Sequence, residues 1–253
     1  MNKYLLMVVF CLLSLAVSAQ KGKQTTPAKP AAEAPAAAKE TQESQMRLVT
    51  ANILVNHYSR KYAIAQRWGD YDVAKDAMYD LISEFPGNDS LVFTLAYFYY
   101  ENQKHASCAV VCNDLLTRNP KNLPALELSA LSYEGLNIKD KALQSYESLF
   151  LLSNNNSALY KMASLQYDLK RYGESITNAD ILMSKPQADS LNVVFTDVKG
   201  NSKEHPMKAA LQNLRGLNLK AQGDMVNAKK AFEEAIKLDP NFEAAKQNMA
   251  GMK

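Results

Sequence analysis

The sequence predicts an all-α protein: a helix-turn-helix solenoid of about five repeats, closed by a C-terminal capping helix and interrupted once by a short β-hairpin. Three observations predict it. First, "GDYDVAKDAMYDLISEFPGN" at 69–88 returns, in the same order of residue types, as "GDMVNAKKAFEEAIKLDPN" at 223–241. Second, small residues recur 34 apart at Ala74, Cys108 and Ala142, then at Ser175 one residue early, and at Ala228 after an insertion. Third, a closing residue recurs beside them, at Pro86, Pro120, Asn154, Pro186 and Pro240. A fixed period of this length means stacked helix pairs, because one pair cannot bury its apolar face alone and its neighbours must share it.

The chain opens on a different pattern. "MNKYLLMVVFCLLSLAVSAQ" has Lys3, an apolar run from Leu5 to Val17, then Val17, Ser18 and Ala19. That order of charge, apolar run and small residues predicts a secretory signal peptide at 1–19, cut between Ala19 and Gln20. The apolar run is shorter than the roughly 20 residues that span a bilayer, so no membrane span is expected once it is removed. Cys11 follows Phe10 within the run and lacks the small residue that a lipidated Cys needs before it. Export and a periplasmic or cell-envelope location are therefore expected.

Residues 20–45 are Ala, Pro, Lys, Glu and other small or polar types with no large apolar side chain. Nothing in them can recover ordering entropy against a core, so they are expected to form a disordered linker. The composition of the whole chain is 47% hydrophobic and 22% charged, with a net charge of +3. So small a charge excludes neither sign of partner by itself, but it gives no reason to expect nucleic acid or an anionic membrane.

The repeats follow at about 55–88, 89–122, 123–156, 156–189 and 209–242, with a second small position at Ala96, Ala130, Ala163 and Gly216. Small residues at two sites let paired helices approach closely. Gly-Asp between the helices supplies the backbone freedom of a tight turn, and Pro after the second helix stops it. Residues 190–208 are too few for a further repeat. "NVVFTD" is β-branched and aromatic, "KGN" is turn chemistry and "SKEH" can return, so a β-hairpin is expected there. Pro206 suits the first position of the next helix. The hairpin interrupts a stack that packing alone would leave continuous, which suggests a role in recognition more than in stability. Phe242, Ala245 and Met249 stand at helical spacing in "FEAAKQNMAGMK" and predict a capping helix, 243–253, over the last repeat.

These positions carry a resemblance. The pattern resembles the tetratricopeptide repeat, most fully at 209–242, where Gly216, Ala228, Phe232, Ala235 and Pro240 all fit. The second repeat supplies Ala96, Tyr99, Cys108 and Pro120, and the third Ala130, Tyr133, Ala142 and Tyr146. The first departs at Tyr62, a bulky residue at a small position. The resemblance implies a non-catalytic interaction module with a concave groove lined by first helices. The groove positions it implies are Arg67, Asn56 and Gln66 in the first repeat, Phe93, Tyr97, Tyr100 and Glu101 in the second, Glu127 and Glu134 in the third, and Tyr160, Tyr167 and Asp168 in the fourth. Members that clamp a carboxylate carry Lys, Arg and Asn there. This groove is aromatic and acidic, which favours a neutral or basic peptide with apolar anchors. Tyr99 is expected to point into the core instead.

No Gly-rich phosphate loop, nucleophile elbow or His-Glu zinc pair is present, and no cofactor or catalytic role is expected. His105, Cys108 and Cys112 share one helical face and could begin a soft-metal site. They also fall at inward repeat positions, where buried Cys acts as a small hydrophobe, and packing is the favoured reading. The expected function is thus a protein-protein interaction scaffold or assembly adaptor. The alternatives are a structural solenoid that self-associates as a homo-oligomer and, less favoured, a metal-binding protein using the His105 face.

Overall fold

A computed structural model describes residues 34–196 and 200–252. The expected signal peptide, the tether up to residue 33 and residues 197–199 lie outside the described residues. Two compact units divide the chain at Asn102 and Gln103. The first contains α1 (Ala34–Trp68), α2 (Tyr71–Glu84) and α3 (Asp89–Glu101). The second contains α4 (His105–Arg118), α5 (Leu123–Gly135), α6 (Lys139–Ser153), α7 (Asn156–Asp168) and α8 (Tyr172–Ser184). A hairpin of β1 (Asn192–Thr196) and β2 (Ser202–Pro206) follows, then α9 (Met207–Ala221), α10 (Met225–Leu238) and α11 (Glu243–Ala250).

One backbone feature repeats with the sequence. Gly69, Gln103, Asn137, Lys170 and Gly223 each have positive φ, between 56° and 86°. Each stands between the two helices of a pair and turns the chain left-handed there. The two Gly-Asp sentences are the two repeats that fill this position with the residue it suits best. The Asp that follows caps the second helix: Asp70 accepts from the Val73 N–H and Asp224 from the Asn227 N–H. Asn after the closing position does the same for first helices, with Asn88, Asn122 and Asn155 accepting from the first-turn amides of α3, α5 and α7. The shared punctuation is thus a left-handed turn within each pair and, in each repeat, an Asx cap on one of its two helices.

The small positions do the packing. Ala74, Cys108, Ala142, Ser175 and Ala228 are fully buried, as are Ala96, Ala130 and Ala163. At Gly216 a Cβ would meet the buried Phe232 ring at 2.5 Å, so only Gly lets α9 lie that close to α10. Ser175 is small but not apolar. Its hydroxyl donates to the Ala163 carbonyl at 2.7 Å and accepts from the Asn218 amide at 2.9 Å, a buried polar link between α7, α8 and α9.

Three expectations are corrected here. Residues 34–45, which composition assigns to the linker, are helical as the start of α1. Pro35, the second residue of that helix, sits where a missing N–H costs nothing, and the alanines after it are strong helix formers. Pro206 ends β2 and precedes the first helical residue of α9, so it is the cap position and not the first turn.

The third correction concerns the hairpin, which is part of the packing. β1 and β2 pair antiparallel, with Val193 opposite His205 and Phe195 opposite Lys203. Val193 packs on the large core of the second unit. His205 is buried and stacks on Phe242 with ring centroids 4.4 Å apart, and Phe195 meets the same ring edge-on at 4.8 Å. Phe242 and Ala245 are fully buried beneath this cluster, so hairpin and capping helix close the last repeat together.

Candidate partner-binding face

In the first unit α3 presents two faces. Val92, Leu95, Ala96 and Phe98 are buried. Phe93, Tyr97 and Tyr100, at i, i+4 and i+7, are half-buried on another face, and Glu101 is exposed at its end. Arg67 is exposed at the end of α1. Asn56 is exposed and its amide donates to the Asn52 carbonyl, while the Gln66 amide donates to the Tyr62 hydroxyl. The bulky Tyr62 is therefore accommodated half-buried, with its hydroxyl satisfied.

Tyr99 departs from expectation. Phe98 is the buried aromatic of that run. Tyr99 is half-buried, and its hydroxyl lies 2.9 Å from that of Tyr79 on α2. Burial, then the bond to Tyr79, pushes its phenol up to about 12. The ring lies against the neighbouring helix while its polar tip emerges, as amphipathic rings do.

In the second unit the face is built by α5 and α7. Ala158, Leu159, Met162, Ala163, Leu165 and Gln166 are the buried side of α7. Tyr160 leans into the core, and burial raises its phenol to about 12. Tyr167 stands further out, its ring 5.9 Å from Tyr172. Burial first, then the neighbouring Tyr172 and Asp168, raises its phenol.

The acids of this face are not a bare rim. Glu134 accepts from Lys161 at 2.8 Å, and Asp168 accepts from Lys139 at 2.7 Å. Glu127 is exposed. The expected acidic border is in this unit an ion-paired band, and its attraction for a basic ligand is correspondingly reduced. Pairs this exposed add little stability, so they remain available to exchange partners. Sequence reasoning missed both lysines because Lys139 lies on a second helix and Lys161 outside the implied groove positions.

His105 serves packing. Its ring lies over Gly135, where a Cβ would come within 2.7 Å of it, and its Nε2 is 3.2 Å from the Gln103 side-chain oxygen. Cys108 and Cys112 are fully buried thiols with sulfurs 4.0 Å apart. The bond to Cys108, with burial, pushes the Cys112 thiol up. Among the described residues no three His, Cys, Asp or Glu side chains stand together as a metal site, and no helix is long and apolar enough to cross a membrane.

Comparison with known proteins fits this architecture. Residues 209–242 match the family model of the tetratricopeptide repeat. No curated protein sequence matches the chain. Among solved structures, a tetratricopeptide repeat protein from Parabacteroides merdae is similar at 18% identity and TM-score 0.59, over 78% of this chain and 71% of that one. YrrB, a repeat protein described as having an unusual peptide-binding site, is similar at 10% identity and TM-score 0.59, over 75% of this chain and 89% of that one. MamA is similar at 14% identity and TM-score 0.57, over 73% and 91%. Identities this low speak to the fold. The fold is a tetratricopeptide-type helix-turn-helix solenoid with a two-stranded hairpin, and residues 209–242 carry the sequence signature of that repeat.

Proposed function

We propose that the protein is an exported, non-catalytic scaffold or assembly adaptor of the cell envelope, and that it binds a polypeptide segment on its first-helix faces. The signal-like start of the sequence supports export. The solenoid fold supports a protein or peptide partner, since stacked repeats present extended surfaces and not enclosed reaction sites.

The observation that carries the reading is the division of α7. One side is buried core, while Tyr167 is half-buried at the edge of that core against Tyr172, on a helix that also carries Lys161 and Asp168 of the Lys161–Glu134 and Lys139–Asp168 pairs. A partly exposed aromatic on a helix with exchangeable polar groups is how binding hot spots are built. The paired charges change the expected ligand. An extended segment with an aromatic or aliphatic anchor and charges of both signs suits this face better than a purely basic one.

The test is capture from an envelope extract with the exported protein, partners being identified by mass spectrometry and their affinity measured. Tyr167→Ala and Tyr97→Ala should each weaken binding by about 1 kcal/mol or more with melting temperature nearly unchanged. Full affinity in both variants would place the interface elsewhere. Recovery of the protein only from the cytoplasm would end the envelope assignment.

A further inference from the structure

The N-terminal helix carries an apolar stripe that its own unit leaves uncovered. Met46 is 67% exposed, Val49 58%, Ile53 62%, Ile64 42% and Trp68 77%. At 100° per residue these five fall on one side of α1, where exposed His57 and Arg60 interrupt the apolar run between Ile53 and Ile64. The core side is different: Ala65 is buried, with Tyr62 and Tyr58 half-buried near it. In a stack of repeats the stripe stands where a preceding helix pair would lie, and terminal repeats ordinarily put polar residues there. The C-terminal repeat follows that rule, with Phe242 and Ala245 buried under α11 and Glu243 and Gln247 exposed on it.

The chain's own preceding segment does not suit the stripe, since 21–33, "KGKQTTPAKPAAE", has no large apolar side chain. The polar α11 does not suit it either, which argues against head-to-tail stacking of copies. What remains complementary is the stripe itself. From 47 to 68 the chain has Arg47, Arg60, Lys61 and Arg67 and no acid, and since Lys61 is paired with Asp76 and Asp80 of α2 the three arginines carry the charge, whereas 40–46 has Glu40 and Glu43 and no base. A parallel pair of α1 helices would set base against base. An antiparallel pair sets the acidic start of each helix beside the basic end of the other, over about 40 Å for residues 42–68 at 1.5 Å per residue.

We propose that α1 is a homodimerisation surface: two copies pair their α1 stripes antiparallel about a two-fold axis, a closed arrangement that ends assembly at the dimer. Ile53 lies outside the candidate partner-binding positions, whereas Arg67 on α1 is counted in both surfaces, so substitution at Ile53 is what separates dimerisation from partner capture.

The test is sedimentation velocity on the exported protein, from the low micromolar range to about 100 µM, with helicity followed by circular dichroism. Wild type should sediment as a dimer. Ile53→Glu should weaken the dimer by at least about tenfold with helicity unchanged, since the site is exposed. Glu43→Lys should weaken it less, and more at low salt than at high. Leu151→Glu, at a residue 82% exposed on α6, should leave the dimer intact. A monomeric wild type at the highest concentration would overturn the proposal. So would a dimer that survives Ile53→Glu, or one that Leu151→Glu disrupts equally. Binding of a monomeric wild type to anionic vesicles would instead assign the stripe to a lipid surface.

Discussion

His205 Nδ1 lies 2.5 Å from the Asp239 carboxylate, and this contact joins the end of the hairpin to the turn that follows α10. Both side chains are largely buried. Burial by itself would raise the Asp239 carboxyl. The hydrogen bonds from His205 and from the Asn241 N–H outweigh it and hold the group below its ordinary value. The contact spans 34 residues of sequence, one whole repeat length, and runs from within the insertion to the end of the last repeat.

His205→Ala is expected to destabilise the protein by about 2–4 kcal/mol, since it removes a buried ring from Phe242 and leaves Asp239 without its partner. His205→Phe keeps the stack and should cost less. The carboxyl is depressed in the folded state, so its stabilisation is complete above the unfolded value of about 3.9 and is lost as pH falls through the lower folded value. Denaturant titrations between neutral pH and pH 3 should show this loss in wild type. Asp239→Asn should show less of it.

Replacing residues 192–204 by a short Gly-Ser link should lower the melting temperature, because Val193 and Phe195 leave their packing partners and β2 loses its strand partner. The loss should concentrate in α9 to α11, since repeat arrays propagate damage to neighbours first. Hydrogen exchange resolves it by position, and uniform protection across the variant would show the hairpin to be dispensable.

The left-handed turns offer stabilising changes. Lys170 and Gln103 hold φ of 61° and 58°, which strains any residue with a Cβ. Lys170→Gly and Gln103→Gly should each stabilise by about 0.5–1 kcal/mol, the relief exceeding the entropy Gly gains on unfolding. Gly223→Ala, at φ 86°, should destabilise by a similar amount. Midpoints of chemical denaturation measure all three.

Gly216 and Gly173 should respond in opposite senses. A Cβ at Gly216 runs into the fully buried Phe232 ring, so Gly216→Val should cost about 1–3 kcal/mol by overpacking. A Cβ at Gly173 meets nothing within 4 Å, and Gly173→Ala in the first turn of α8 should be neutral or slightly stabilising.

The repeats were legible because the constraint at Ala74, Cys108, Ala142 and Ala228 is local and steric. Two helices can touch only where a side chain is small, and the residue type itself records that. The hairpin was legible as a hairpin for the same reason, through β-branched residues, a turn and a return. Its burial was not, because nothing in "SKEH" shows that His205 meets Asp239 and Phe242. The candidate face was legible as a row of aromatics on first helices. Its charge state was not, because the lysines that pair Glu134 and Asp168 come from other helices. The helical start at Ala34 was hidden by composition, since alanine serves a linker and a helix equally well.

Cys108 and Cys112 have a consequence for observing the protein at work. The reactive form of a thiol is the thiolate, and these two sulfurs are shut away from solvent, with Cys112 held protonated. While α4 stays in place they are chemically silent towards oxidants and alkylating reagents alike. Once the signal-like segment with Cys11 is removed, labelling requires an opening of the repeat interior, and its rate reports the population of that opening, or its frequency where labelling outpaces reclosing, read without adding a probe.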